Sequence, residues 1–251
     1  MVLSVIIYCQ FLFWTIVYSV LLAPFFAVSM LWCAVVPRAD TSKAVRFFIL
    51  WYGKTIIRIA LFPWVRVVYE NVAKEKICGG IYVFNHRSGS DPFLVSAITN
   101  VPPVQIVNDW PMRLPYLGFF ARLGKYLDIK HMTYEEIRDA IREFVAQGAP
   151  VMAFPEGTRS GGKFMNQFHS SVFHVAKEIN CPIIPVAVAG NENIPNRAFK
   201  MHCGTILIRK LPAVPRTITE SYSPYKLKQY VRNIILKETT EMDLVLEGNE
   251  K

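Results

Sequence analysis

From Met1 to Pro37 this chain carries no charged side chain. A block of that kind has few places to go. About 20 apolar residues suffice for a helix to span a bilayer, so it is too long for one upright span and too short for two. Pro24 sits near its middle, and a proline inside a helix removes a backbone donor and crowds the preceding turn. The expectation is two short helices meeting at Pro24, a hairpin embedded in the membrane. A single tilted span and a buried helix in a soluble core are the alternatives. The block lacks the basic lead and short apolar core of a secretory signal.

Arg38, Lys43 and Arg46 follow, and the positive-inside tendency places that flank on the cytoplasmic face. Phe47 to Trp64 is apolar except for Lys54 and Arg58, which are four apart and share a helix face. With Trp51, Tyr52 and Trp64 alongside, this segment reads as an interfacial amphipathic helix. Residues 1–63 are therefore expected to be a membrane-associated helical region and residues 64–251 a second domain ending in an amphipathic helix.

The formal net charge of +9 calls for an anionic partner. The charge is dispersed, with no Lys/Arg tract and no nucleic-acid motif, so membrane lipids are expected and nucleic acid is not. Cys9, Cys33, Cys78, Cys181 and Cys203 are scattered and form no CxxC pair, which points to reduced, mostly buried thiols.

From Val65 onward the pattern alternates. Val65–Tyr69, Ile81–Phe84, Val151–Phe154, Ile183–Ala189 and Thr205–Ile208 read as strands. Asp91-Pro92 has the form of an N-cap followed by proline at the first helical position. Thr133 and Glu136 form a capping box for a helix with Ile137, Ile141, Phe144 and Val145 on one face, ending at Gly148. Phe168, Val172, Phe173 and Ala176 mark another helix. Ser223-Pro224 opens the last, whose apolar face is Leu227, Val231, Ile234 and Ile235 and whose other face carries Lys226, Lys228, Arg232 and Lys237. The fold class is α/β, a mixed sheet covered by helices, with the apolar N-terminal helical membrane segment attached.

Two segments carry chemistry. Asn85-His86-Arg87-Ser88-Gly89-Ser90-Asp91 follows one strand and precedes a helix. His86 can act as a general base near neutral pH, and Asp91 can reach back across the short loop to fix its tautomer. Phe154-Pro155-Glu156-Gly157-Thr158-Arg159-Ser160 follows another strand. A glycine there lets backbone N–H groups approach a ligand, and Arg159 can grip a phosphate bidentately. Glu156 can hold Arg159 or a hydroxyl of a bound acceptor. A base and an anion clamp together suggest acyl transfer to the hydroxyl of an anionic acceptor. His131, His169, His174 and His202 show no metal-ligand spacing backed by carboxylates, so neither metal nor cofactor is expected.

Together these segments resemble the glycerolipid acyltransferase family, which includes the 1-acyl-glycerol-3-phosphate acyltransferases. Asn85, His86 and Asp91 complete its Asn-His-x4-Asp motif, residues 154–160 its Phe-Pro-Glu-Gly-Thr-Arg-Ser motif, and Ile184-Pro185-Val186-Ala187-Val188 its Pro-Val strand. The resemblance covers roughly residues 64–215. It implies that His86, with Asp91, deprotonates the acceptor hydroxyl, and that the oxygen attacks the thioester of acyl-CoA or acyl-carrier protein. It implies also that Glu156, Gly157, Thr158 and Arg159 bind the phosphate region of a lysophospholipid acceptor. Where the family has Asp-Arg this chain reads Asp128-Ile129-Lys130, so Lys130 stands in for the second arginine, as a point charge rather than a fork. His169 and Ser171 stand where the family usually has lysine and glycine. The acceptor is then lysophosphatidate or another lyso-lipid, such as an amino-acid lipid. A hydrolase using the same base is the rival reading, weakened by the lack of a G-x-S-x-G elbow. A non-catalytic membrane-binding protein would have no use for the His86/Asp91 pair.

Overall fold

The structure, a computed structural model, describes residues 2–36, 39–73 and 79–249; Pro37, Arg38 and Cys78 lie outside the described residues. The first helix is α1 (Val2–Val35) and the second α2 (Thr41–Thr55), which runs on through one π turn at Ile56–Ala60. Then come β1 (Val65–Asn71), β2 (Gly80–Phe84), a single helical turn α3 (Asp91–Leu94), β3 (Val104–Val107), α4 (Asp109–Arg113), α5 (Pro115–Leu123) and β4 (Leu127–Asp128). The second half holds α6 (Tyr134–Ala146), β5 (Pro150–Ala153), α7 (Ser171–Glu178), β6 (Ile183–Ala189), β7 (Gly204–Lys210), α8 (Arg216–Ser221) and α9 (Pro224–Asn249).

The seven strands form one sheet in the order β1-β7-β6-β2-β5-β3-β4. Neighbours are parallel except β6 and β7, which run antiparallel, so the sheet is mixed. β2 and β6 are buried along their whole length, as central parallel strands covered on both faces must be. Side chains alternate between the faces. Ile81, Val83, Val151 and Ala153 join a core with Phe144, Phe173, Leu227 and Val231 from α6, α7 and α9. Tyr82, Phe84 and Met152 join the opposite core with Ile7, Tyr52 and Ile56 from α1, α2 and the π turn. The ends of β2, β5 and β6 and the start of β7 therefore share one edge of the sheet, where the loops with unusual polar content emerge.

The N-terminal helices depart from the expectation. Instead of a hairpin broken at Pro24, α1 is one continuous helix with Pro24 inside it. Proline costs a helix one hydrogen bond, and a stretch without polar competitors has no better conformation on either side. At 34 residues α1 is about 51 Å long, long and apolar enough to cross a membrane. It also lies against the protein. Trp64 Nε1 donates to Gln10 Oε1 at 3.0 Å, Thr15 meets the Tyr52 hydroxyl at 3.0 Å and Ser19 the Tyr116 hydroxyl at 2.9 Å.

α2 buries one face and exposes Phe47 and Trp51 on the other, but its cations do not all lie on the outer face. Arg46, read as a flanking cation, is 1 % exposed and donates to Ser42 Oγ at 2.9 Å and to the Gly124 carbonyl at 3.0 Å. Lys54 is buried against Asn100 while Arg58 is exposed. The π turn breaks the 3.6-residue register between them. The cysteines differ too: Cys181 is buried, but Cys9 and Cys203 are exposed and Cys33 partly so. Arg232 of α9 is not on a free basic face, since it donates to the carbonyls of Met165 and Asn166 at 2.7 and 3.0 Å. The capping box at Thr133 and Glu136 is present as expected.

Candidate active site

β2 delivers Asn85 and His86 to the sheet edge. The Asn85 side chain pairs with Val188 of β6 through both its oxygen and its nitrogen, each at 2.8 Å, prolonging the strand pairing by one side chain. His86 Nδ1 lies 2.7 Å from Asp91 Oδ2. The same oxygen accepts the backbone N–H groups of Arg87 and Ser88, both at 2.9 Å, and Oδ1 accepts from Asn191 Nδ2. Asp91 is 1 % exposed. A carboxylate offers only acceptors, so the His86 nitrogen facing it carries the proton. Nε2 is then the basic nitrogen, and the ring is 19 % exposed. The ring rests on Phe154 with centroids 5.0 Å apart.

Asp91 is not the N-cap that its sequence position suggests. Ser90 occupies that place without a side-chain bond, and Asp91 turns back to the donors converging on it from the loop and from Asn191. Asn191 is the partner that sequence reasoning missed. It follows Gly190 at the end of β6, in a polar run with nothing to single it out.

The second segment meets the first through its backbone. Ser160 N–H donates to the His86 carbonyl at 2.7 Å and Gly161 N–H to the Arg87 carbonyl at 3.0 Å. Glu156, 3 % exposed, accepts the N–H of His86 at 2.6 Å and that of Asn166 at 2.8 Å. Its carboxylate thus ties two loops together and makes no bond to Arg159. Gly157 turns the chain at φ +68°, where a side chain would be strained, and Thr158 is exposed beside it. The Arg159 guanidinium lies over the Phe199 ring at 4.7 Å and beside Gly89. Arg159 therefore leans from β5 across β2 toward the β6–β7 connection. Lys130 is on the other side. It follows β4, two strand spacings or about 10 Å from β5, and pairs with Asp109 at 2.9 Å.

Burial pushes the Glu156 carboxyl up to about 7, against the pull of its two N–H donors. A carboxyl whose value rises on folding takes up a proton as the chain folds. Its stabilising share is complete below its ordinary value of 4.5 and is lost as pH rises to about 7. Thermal unfolding of the detergent-solubilised protein should show this decline in midpoint from pH 4.5 to 7. Glu156→Gln should remove the slope and cost about 1–3 kcal/mol for the bond it cannot make. An identical slope in the variant would disprove the assignment.

Gly89 also borders an apolar cavity of about 310 Å³. Tyr18 and Phe26 of α1, Tyr52 of α2, Phe93 and Phe120 line it, and Gly89 forms part of its wall. Gly89 thus meets both the Arg159 guanidinium and an apolar chamber.

A histidine paired with a buried aspartate, beside an arginine, suits activation of a hydroxyl for group transfer. The family model described as Acyltransferase matches residues 65–189, and the chain belongs to that family. It is 25 % identical over 234 residues to the 1-acyl-sn-glycerol-3-phosphate acyltransferase of Escherichia coli, covering 91 % of each chain. The Salmonella typhimurium enzyme of the same name matches with the same identity and coverage. The crystal structure of the 1-acyl-sn-glycerophosphate (LPA) acyltransferase PlsC from Thermotoga maritima has the same fold. Its TM-score is 0.75 at 20 % identity, over 96 % of both chains.

Proposed function

We propose that the protein moves a fatty acyl group from an acyl thioester, acyl-CoA or acyl-carrier protein, to the free hydroxyl of a lysophospholipid. The foremost acceptor is 1-acyl-glycerol-3-phosphate, giving phosphatidic acid, the acceptor in the names of the curated relatives. The observation that carries this reading is the His86–Asp91 pair, in a loop whose Gly89 meets both Arg159 and the apolar cavity. His86 Nε2 takes the hydroxyl proton as the acceptor oxygen attacks the thioester carbon. The tetrahedral intermediate expels the thiolate, which recovers the proton from Nε2. Arg159 holds the acceptor phosphate above the Gly157–Thr158 turn. Glu156 serves by fixing the main chain of His86, and Lys130, occupied by Asp109, contributes its charge at longer range. The cavity takes the donor acyl chain.

Residues 1–63 hold the enzyme at the cytoplasmic face of the membrane and residues 64–251 perform the chemistry. Phe13, Val20, Leu21, Phe25, Leu31 and Trp32 of α1 support the membrane contact, because all are exposed and apolar. The test is mass spectrometry of lipids after incubating the purified full-length protein with an acyl donor and a panel of lyso-lipids. A new diacyl product supports acyl transfer. Free fatty acid with no acylated lipid would replace it with hydrolysis. Arg159→Lys should raise the acceptor KM about 10-fold or more by losing the bidentate fork, with the donor KM unchanged. A change confined to the donor KM would be fatal to the Arg159 assignment.

A further inference from the structure

Arg159 alone is a poor match for a phosphate monoester, which carries −1.5 to −2 charges near neutral pH, and Lys130 lies in the direction opposite to its lean. The β6–β7 connection, residues 190–203, supplies what Arg159 leans toward. Three contacts dock this connection on the catalytic loop: Ser88 Oγ donates to the Ile194 and Pro195 carbonyls at 3.0 and 2.8 Å, and Asn191 holds Asp91. Arg197 Nη2 donates to the Arg159 carbonyl at 3.2 Å. Its side chain lies flat against Gly161, where a Cβ would overlap it. Arg197 is exposed, and neither it nor Arg159 meets a carboxylate among the described residues. Phe199, at φ +57°, presents its ring to the Arg159 guanidinium. Positive φ is costly for a bulky residue, so the surroundings must enforce it. Asn196 does so by accepting the N–H groups of Ala198 and Lys200, both at 3.0 Å. On the outer side α1 secures the same connection. Tyr8 donates to the Phe199 carbonyl at 2.8 Å, and Ser4 bonds both the N–H and the carbonyl of Met201.

We propose that Arg197 is the second cation of the acceptor site, closing with Arg159 on a phosphate monoester, and that Phe199 is the positioning residue that aims Arg159. This deepens the acyltransferase reading and rests on it. Two guanidiniums match a dianion, whereas a lyso-lipid whose phosphate is a diester offers one charge. The clamp therefore selects for the terminal phosphate. Because α1 holds the clamp, the phosphate is met beside the helix that carries the apolar surface.

The experiment uses the full-length protein in detergent with acyl-CoA, comparing 1-acyl-glycerol-3-phosphate with uncharged monoacylglycerol. Arg197→Gln should raise the KM for the phosphate acceptor about 10–100-fold, leave the donor KM unchanged and spare whatever rate monoacylglycerol supports. Arg197→Lys should recover part of the loss. Phe199→Leu, which keeps an apolar side chain but no π face, should raise the acceptor KM by a smaller factor at constant donor KM. An unchanged acceptor KM in Arg197→Gln overturns the proposal, and so does an equal loss with charged and uncharged acceptors. A KM effect carried by Lys130→Gln in its place also overturns it. Wild-type protein that acylates no lyso-lipid defeats the parent reading instead, before any variant is compared.

Discussion

His86→Ala should lose about 10²–10⁴-fold in acyl-transfer turnover, the usual contribution of a positioned general base, with its thermal midpoint close to wild type. The ring is held by one bond and one aromatic contact at the sheet edge, so its removal leaves both cores intact. Asp91→Asn should fall comparably, for a different reason. The carboxylate receives His86 Nδ1, two backbone N–H groups and Asn191. An amide must turn its NH2 toward some of these donors, which moves the loop or forces the imidazole into the other tautomer. A pH–rate profile separates the two variants: the limb set by the base should vanish in His86→Ala and be displaced in Asp91→Asn. Folded His86→Ala with near-normal turnover would end the base assignment.

The second large effect concerns the residue after the base. Arg87 is 2 % exposed and grips Asp243 of α9 through two bonds of 2.7 Å, with Glu192 at 3.3 Å and the Lys163 carbonyl at 3.1 Å. Asp243→Ala leaves a buried guanidinium with weakened compensation. Breaking such a pair costs about 3–5 kcal/mol, with the lower end expected because Glu192 remains. The denaturant midpoint should drop at unchanged m-value. Turnover should fall as well, because Arg87 anchors the backbone that carries His86. Asp243→Asn retains one acceptor and should lose less of both. Unfolding of Asp243→Ala at the wild-type midpoint would show that α9 does not bear on the catalytic loop.

The central strands were legible because burial on both faces writes an uninterrupted apolar run, as in Ile183–Ala189. The capping box was legible because it is local. β3 and β4 were not: the first is four residues with Gln105 inside, and the second is only Leu127 and Asp128. The proposed site residues stood out, since His86, Asp91 and Arg159 lie in two short segments. Their supports did not. Arg46 and Arg87 look like surface cations until the Gly124 carbonyl and Asp243 arrive from 78 and 156 positions away. Asn191 reaches Asp91 across 100 positions. At Pro24, local propensity argued for a break that the surrounding apolar helix overrides. At Asp91 a local signal for capping lost to four converging donors.

Gly89 has a consequence for the distance at which the two substrates can meet. It lines the apolar cavity, and the Arg159 Nη1 would stand 3.2 Å from a Cβ at this position. Cavity and guanidinium thus meet the same bare stretch of main chain. A hydroxyl oxygen and a thioester carbon must approach to about 3–3.5 Å before a bond can form. A side chain on residue 89 would press on the Arg159 guanidinium and shift it on the scale of that gap. With the acceptor at Arg159 and the acyl chain in the cavity, as proposed, the main chain at residue 89 sets how near the two can come, and glycine is the thinnest wall a polypeptide can build.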